Sequence, residues 1–240
     1  MSSIEQRLAS VRQRIEQAER QAERTPASTI LLAVSKTRTA SEIRAAFAAG
    51  QTAFGENYLQ DALEKIDALA DLKLEWHFIG RIQSNKTKPI AENFDWVHSI
   101  ASLKHARRLG EQRPPGLPPL KICIQVNTSG EASKGGHEPE QLPELLKAYQ
   151  ALPGIEVMGL MTIPAPADDD AAQRRPFRLL RHLRDSLRSD ELPLKTLSMG
   201  MSGDLEAAIL EGATIVRIGT AIFGPRQYNS ANVTIQHNMT

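Results

Sequence analysis

The sequence predicts an α/β protein, a single (β/α)8 TIM-like barrel with an extra N-terminal helix. Eight short apolar runs rich in branched residues follow one another along the chain, and a capped or amphipathic helical segment separates each from the next. The length agrees: 240 residues match a fold that typically takes about 250. No composition shift or long linker divides the chain. An open doubly wound sheet is the competing arrangement of the same pattern.

The elements follow in order. Ser3 with Gln6 has the form of a capping box, and Ile4, Leu8, Val11, Ile15 and Ala18 recur at steps of four and three. This is one amphipathic helix that packs on the barrel, with too few heptads for a coiled coil. After the Thr25-Pro26 break, Ile30 to Ser35 reads as a strand buried on both faces. Thr39 and Glu42 open a capped helix that stops at Gly50, and TAFG is strand two. Tyr58 to Leu69 is helical, EWHFIG is strand three, Ile82 to Glu92 is helical and FDWVHS is strand four. A helix over Leu103 to Leu109 and the loop RPPGLPP lead to strand five, LKICIQVN.

A polar, glycine-rich loop from Thr128 to Gly136 comes next, and Pro139 at the first helical position opens a helix with Leu142, Leu145, Leu146 and Tyr149. IEVMGLMTI is strand six. A long charged helix follows and is predicted to restart at Pro176, because proline removes an internal donor. LKTLSMG is strand seven. Ser202 is predicted to cap a short helix that carries Asp204 and Glu206 in its first turn and ends at Gly212, and TIVRIG is strand eight. Residues 1–228 are therefore expected to form one barrel domain including the first helix, and 229–240 a polar C-terminal tail.

Charge and composition exclude several functions. Lys+Arg 29 against Asp+Glu 28 gives a net charge of +1, so no global basic field recruits nucleic acid or an anionic membrane. The arginines at 174, 175, 178, 181, 184 and 188 are interrupted by Asp185 and Asp190 and accompanied by Leu180, Leu183 and Leu187 at core spacing, which reads as a solvated helix face. No apolar run approaches the ~18 residues of a membrane span. A single cysteine, Cys123, excludes an internal disulfide framework and any multi-cysteine metal site. MSSIEQRLAS lacks the basic flank and apolar stretch of a secretory signal, so a cytoplasmic protein is expected.

In a barrel the active site forms at the carboxyl ends of the strands. Those ends deliver Lys36, then Glu56 and Asn57, then His77 and Gly80, Thr162, the run Ser198, Met199, Gly200, and finally Arg217, Gly219 and Thr220. Lys36 shares a face with Leu32 and Val34, pointing either to the barrel interior or to the helix layer. In the interior, partial burial lowers an amine's pKa and makes it a nucleophile able to form an imine with an aldehyde; otherwise it is a solvated strand-end lysine. SMGMSGDLEAAI and RIGTAIFG place glycines and hydroxyls after strands seven and eight, where barrels often bind phosphate, though capping and tight turns account for the same residues. Arg217 shares its face with Ile215 and Gly219 and needs a partner, either a cofactor atom or a structural carboxylate. His77 is either a satisfied core histidine or a site residue, and Asn57 either a site residue or a helix-entrance stabiliser.

Together AVSKT (33–37), FGENY (54–58), WHFIGRIQSNK (76–86), MGLMTI (158–163), LSMGMS (197–202) and VRIGTAIFG (216–224) resemble the YggS/PROSC family of pyridoxal phosphate homeostasis proteins over nearly the whole chain. The resemblance implies a barrel similar to the N-terminal domain of alanine racemase, with pyridoxal 5′-phosphate held as an internal aldimine on Lys36. It also implies Ser198, Gly200, Gly219 and Thr220 as a phosphate cradle, Arg217 at the pyridine nitrogen, and Asn57 and His77 around the ring. Family members are regarded as buffering or delivering the cofactor, with effects on amino-acid and keto-acid balance, and not as established catalysts. A permanent cation beside the pyridine nitrogen opposes ring protonation and weakens the electron sink, in keeping with that role.

The alternative is a racemase-like amino-acid enzyme with Lys36 as a one-face base, for which the expected added β domain has only twenty residues after Thr220. A Schiff-base aldolase-like barrel without cofactor is a third reading. The expected partners are the cofactor and apo-enzymes that take it up, with no nucleic acid, no membrane, no metal and a monomeric state. Lys134, in the loop before strand-six helix entry, is either a second cofactor contact or an exposed lysine.

Overall fold

Eight parallel strands pair in sequence order and close on themselves, β1 (Ile30–Val34), β2 (Ala53–Glu56), β3 (Glu75–Phe78), β4 (Trp96–Ile100), β5 (Leu120–Gln125), β6 (Ile155–Met161), β7 (Thr196–Ser198) and β8 (Ile215–Ile218). The structure, a computed structural model, describes residues 2–131 and 135–225. Closure runs through β1 and β8, with Leu32 opposite Arg217 and Ala33 opposite Ile218. The (β/α)8 expectation holds and the open doubly wound sheet does not.

The strands are buried on both faces because they separate two cores. Leu31, Ala33, Phe54, Trp76, Phe78 and Val97 pack outward against the helices, whereas Leu32, Val34, Ala53, Ile79 and Ile215 form an aliphatic cluster inside the barrel. Trp96, Cys123 and Met161 make a second interior cluster. Each fully buried leucine or phenylalanine in these layers contributes about 2 kcal/mol of transfer free energy.

The first helix, α1 (Ile4–Gln21), starts in a complete Ser3/Gln6 capping box and buries Leu8, Val11, Ile15 and Ala18. Its Arg14 pairs with Glu206 at 2.7 Å. The helix α2 (Ala40–Ala48) opens in the Thr39/Glu42 box. The remaining helices are α3 (Leu59–Ala68), α4 (Thr87–Asn93), α5 (Leu103–Glu111), α6 (Leu142–Gln150), α7 (Asp170–Leu187), α8 (Leu205–Leu210) and α9 (Thr220–Phe223).

Three local expectations need correction. α7 runs unbroken through Pro176 and does not restart there; the carbonyl that loses its donor belongs to Ala172, which is exposed and can be hydrated. The segment expected to be helical from Ile82 is extended at Gln83, makes a 3-10 turn over Ser84–Lys86 and becomes α-helical at Thr87. Ser202 does not cap α8: the N-cap is Asp204, whose carboxylate instead accepts from the Met201 amide. Lys134 and the tail at 229–240 lie outside the described residues. Among the described residues no helix is long and apolar enough to cross a membrane, and no cluster of His, Cys, Asp or Glu could hold a metal ion.

Candidate functional site

Leu32 and Val34 point into the barrel, and Lys36, next but one along, lines with Val34 a cavity of about 310 Å3 at the carboxyl ends of the strands. The interior alternative for Lys36 is therefore the one the fold adopts. Lys36 is half-buried there. Its two neighbours hold the strand tip in place. Ser35 Oγ donates to Glu56 Oε1 (2.6 Å), and Lys65 Nζ reaches Glu56 Oε1 (2.9 Å), the Ser35 carbonyl (2.9 Å) and Asp61 Oδ2 (2.7 Å). Burial raises the Glu56 carboxyl pKa against the opposing pull of Lys65 and Ser35. Thr37 then turns the chain at φ 62°, a left-handed conformation unusual for a β-branched residue, and local strain of this kind gathers at functional sites.

Across the mouth stands Arg217, buried on β8. Its guanidinium donates to Ser198 Oγ (2.7 Å) and to the Thr162 carbonyl (2.8 Å). Among the described residues no carboxylate lies within ion-pair distance of it, and desolvation pushes its pKa down to about 10. Of the two partners the sequence left open, a structural carboxylate makes no ion pair with it among the described residues, and Asp204 acts on it only from farther away.

The loops after β7 and β8 meet at the same cavity. Gly200 has φ +93°, and a Cβ there would fall 2.5 Å from the Ala208 methyl, so only glycine lets this turn pack on α8. Beyond it, Met201, Ser202 and Gly203 line the cavity opposite Gly219 and Thr220. Burial raises the pKa of Asp204, the residue that ties this turn. On a third side sits Asn57, whose Oδ1 is buried without a hydrogen-bond partner. Gly80 makes its position possible, because a Cβ at 80 would meet the Asn57 carbonyl oxygen at 2.0 Å.

Lys36, Asn57, Arg217, Gly219 and Thr220 therefore converge on one cavity, as the sequence suggested. Ser198, Gly200 and His77 do not line it. Ser198 lies wholly buried beneath, with its hydroxyl engaged by Arg217 and His98. His77 lies deeper still, stacked on Trp96 at 5.4 Å between ring centroids and hydrogen-bonded to His98. Sequence reasoning passed over Ser202, spent on a capping role, and Arg38, which also binds the Gly224 carbonyl (2.6 Å). It also passed over Ile79 and Ile163 on the cavity wall. For Ser202 the signal was present, since it belongs to the same glycine-rich run as Ser198.

Comparison with known proteins follows the same line. The family model for the alanine racemase N-terminal domain matches residues 6–227. A pyridoxal phosphate homeostasis protein of Pseudomonas aeruginosa is 59% identical over 230 residues, 96% of this chain and 99% of that one. PipY of Synechococcus elongatus, solved with PLP bound, is 36% identical with a TM-score of 0.78 and covers 92% of this chain and 100% of its own. Alanine racemase from Corynebacterium glutamicum is 19% identical with a TM-score of 0.66, and the match covers 93% of this chain but 63% of that enzyme. It shares the fold.

Proposed function

Because the chain belongs to the pyridoxal phosphate homeostasis proteins, a family built on the alanine racemase N-terminal domain, we propose that it binds pyridoxal 5′-phosphate and buffers or delivers it in the cell, without catalysing a reaction of its own. When bound, the cofactor supplies a reactive aldehyde carbon and an electron-withdrawing ring.

The residues fit that group. One buried amide oxygen, on Asn57, lacks a partner, and one buried cation, Arg217, makes no ion pair with a carboxylate among the described residues. Both residues line the cavity that Lys36 also lines. In this reading Lys36 holds the aldehyde carbon covalently, Arg217 faces the pyridine nitrogen and Asn57 flanks the ring. Gly219 and Thr220 hold the phosphate together with the turn after β7, where Ser202 and Gly203 line the cavity and Gly200 shapes the backbone. Ser198 and His77 support Arg217 from below.

The neutral hydrogen-bond partners of buried Arg217, Ser198 Oγ and the Thr162 carbonyl, with no carboxylate in ion-pair contact among the described residues, are the observation that carries the proposal. A permanent cation at the ring nitrogen disfavours its protonation, so carbanions are stabilised poorly and storage suits the site better than carbon-acid chemistry. The mouth is lined by the partly exposed Ile163 and Met201, which leaves a path for exchange with recipient apo-enzymes in the cytoplasm.

Trapping with a hydride reductant after incubation with pyridoxal 5′-phosphate tests the reading. Intact mass should increase by one cofactor, peptide mapping should place it on Lys36, and Lys36→Ala should abolish it. An adduct on another lysine overturns the assignment. Deuterium exchange at the α-carbon of added amino acids, above the buffer rate, overturns the non-catalytic reading.

A further inference from the structure

A line of polar side chains crosses the barrel interior from its amino-terminal end to the cavity. Arg217 Nη1 donates to Ser198 Oγ (2.7 Å), which lies 2.8 Å from His98 Nδ1. His98 Nε2 lies 2.9 Å from His77 Nδ1. His77 Nε2 faces Glu75 Oε2 at 3.4 Å, an electrostatic contact and not an aligned hydrogen bond. The first four residues are buried. Glu75 is half exposed at the far mouth, where its other oxygen accepts from Trp96 Nε1 (2.8 Å). The same interior is filled with aliphatic side chains on β1, β2 and β8, so packing alone does not call for this chain.

The chain has a direction. Burial lowers the pKa of both imidazoles, and for His98 the neighbouring His77 and Arg217 lower it further, so both rings are neutral, with one donor and one acceptor nitrogen each. Arginine can only donate. Ser198 Oγ therefore accepts from Arg217 and gives its own proton to His98 Nδ1. His98 then carries its hydrogen on Nε2 and donates to His77 Nδ1, which leaves the His77 Nε2 hydrogen facing the carboxylate. In the opposite order two donors would converge on Ser198 and a nitrogen lone pair would face Glu75.

We propose that Glu75 is the remote counter-ion of Arg217, and that His77 and His98, both held in the Nε2–H tautomer, are positioning residues that carry its influence to the guanidinium beside the cofactor ring. The role at the ring rests on the reading of Arg217 given above; the chain and its direction do not. Other charged or titratable groups face its two ends. Asp95 and Lys121 flank the Glu75 end, with Lys121 Nζ 3.7 Å from Glu75 Oε1 and above the Trp96 ring. Cys123 and Asp204 flank Arg217.

The test has two arms. Nitrogen-15 NMR of the imidazoles in the unmodified protein, without cofactor, should find both His77 and His98 as Nε2–H tautomers near neutral pH; an Nδ1–H tautomer for either overturns the chain. With pyridoxal 5′-phosphate bound, Glu75→Gln should move the pH midpoint of the cofactor's visible absorption downward, by about half a unit, the direction that loss of a compensating negative charge gives. Glu75→Asp should recover part of the shift, with cofactor uptake and circular dichroism unchanged in both variants. A midpoint in Glu75→Gln identical to that of the unmodified protein overturns the coupling. If the unmodified protein takes up no cofactor, the functional reading fails, and the tautomers still decide whether the chain exists.

Discussion

Arg217 and Glu75 each take their character from what stands beside them. Arg217 is a buried cation whose hydrogen-bond partners are neutral, so desolvation outweighs the opposing pull of Asp204 and Cys123 and lowers its pKa. Glu75 is the opposite case. Contact with His77 outweighs its partial burial, Trp96 and Lys121 add to the effect, and its carboxyl is held at about 2, below its ordinary 4.5. A depressed carboxyl pKa stabilises the native state above the unfolded value, and that contribution is lost as pH falls through the folded one. The protein should therefore lose stability between about pH 4.5 and 2 more steeply than Glu75→Gln. Urea midpoints measured across that window check the difference; parallel curves would show that the carboxylate makes no contribution. Lys36 was legible only in part at this scale. The alternation of Leu32, Val34 and Lys36 says that they share a face, but it does not say which face.

Elements were legible where their signals are local. The Ser3/Gln6 and Thr39/Glu42 boxes form as written because each is closed by atoms three residues apart. Pro176 misled for the same reason, since its missing hydrogen bond is local while the packing that keeps the helix going is not. α7 buries Phe177 and Leu180, and Arg174, Arg178 and Arg181 all reach the buried Glu211, at 2.7, 2.9 and 2.9 Å. Those tertiary contacts, which the sequence presented as a solvated arginine face, carry the helix across the proline. Pro176→Ala should restore a donor to the Ala172 carbonyl. We expect a gain of about 1–2 kcal/mol after the entropy released in the unfolded chain is subtracted. Calorimetry should register this as a rise in Tm of roughly 4 °C for a domain of this size. A fall would mean that the proline ring itself packs usefully.

At the scale of the whole molecule, barrel closure puts the site together. β1 and β8 lie at opposite ends of the sequence, yet their pairing sets Leu32 against Arg217 and brings the amine of the first strand and the cation of the last to one mouth. A ligand bound between them bridges the closing seam and should stabilise the entire barrel. At a hundred times its dissociation constant it adds about 2.7 kcal/mol, or roughly 5–10 °C in Tm. Thermal unfolding with and without pyridoxal 5′-phosphate measures this. Lys36→Ala should shrink the shift while leaving the unliganded Tm close to that of the parent, and an equal shift in both proteins would remove Lys36 from the site.

The order and number of strands, the helix between each successive pair, the two capping boxes and the set of residues at the strand tips were determined by the sequence itself, because each depends on spacing within a few residues. The tertiary structure alone decided that Lys36 points inward, that Ser198 lies under the cavity while Ser202 lines it, and that Glu75, His77, His98 and Ser198 join into one path to Arg217. The physical reason is the double burial of the strands. A strand that is apolar on both faces carries no amphipathic signature, so the distinction between interior and helix layer arises only when eight of them close into a ring.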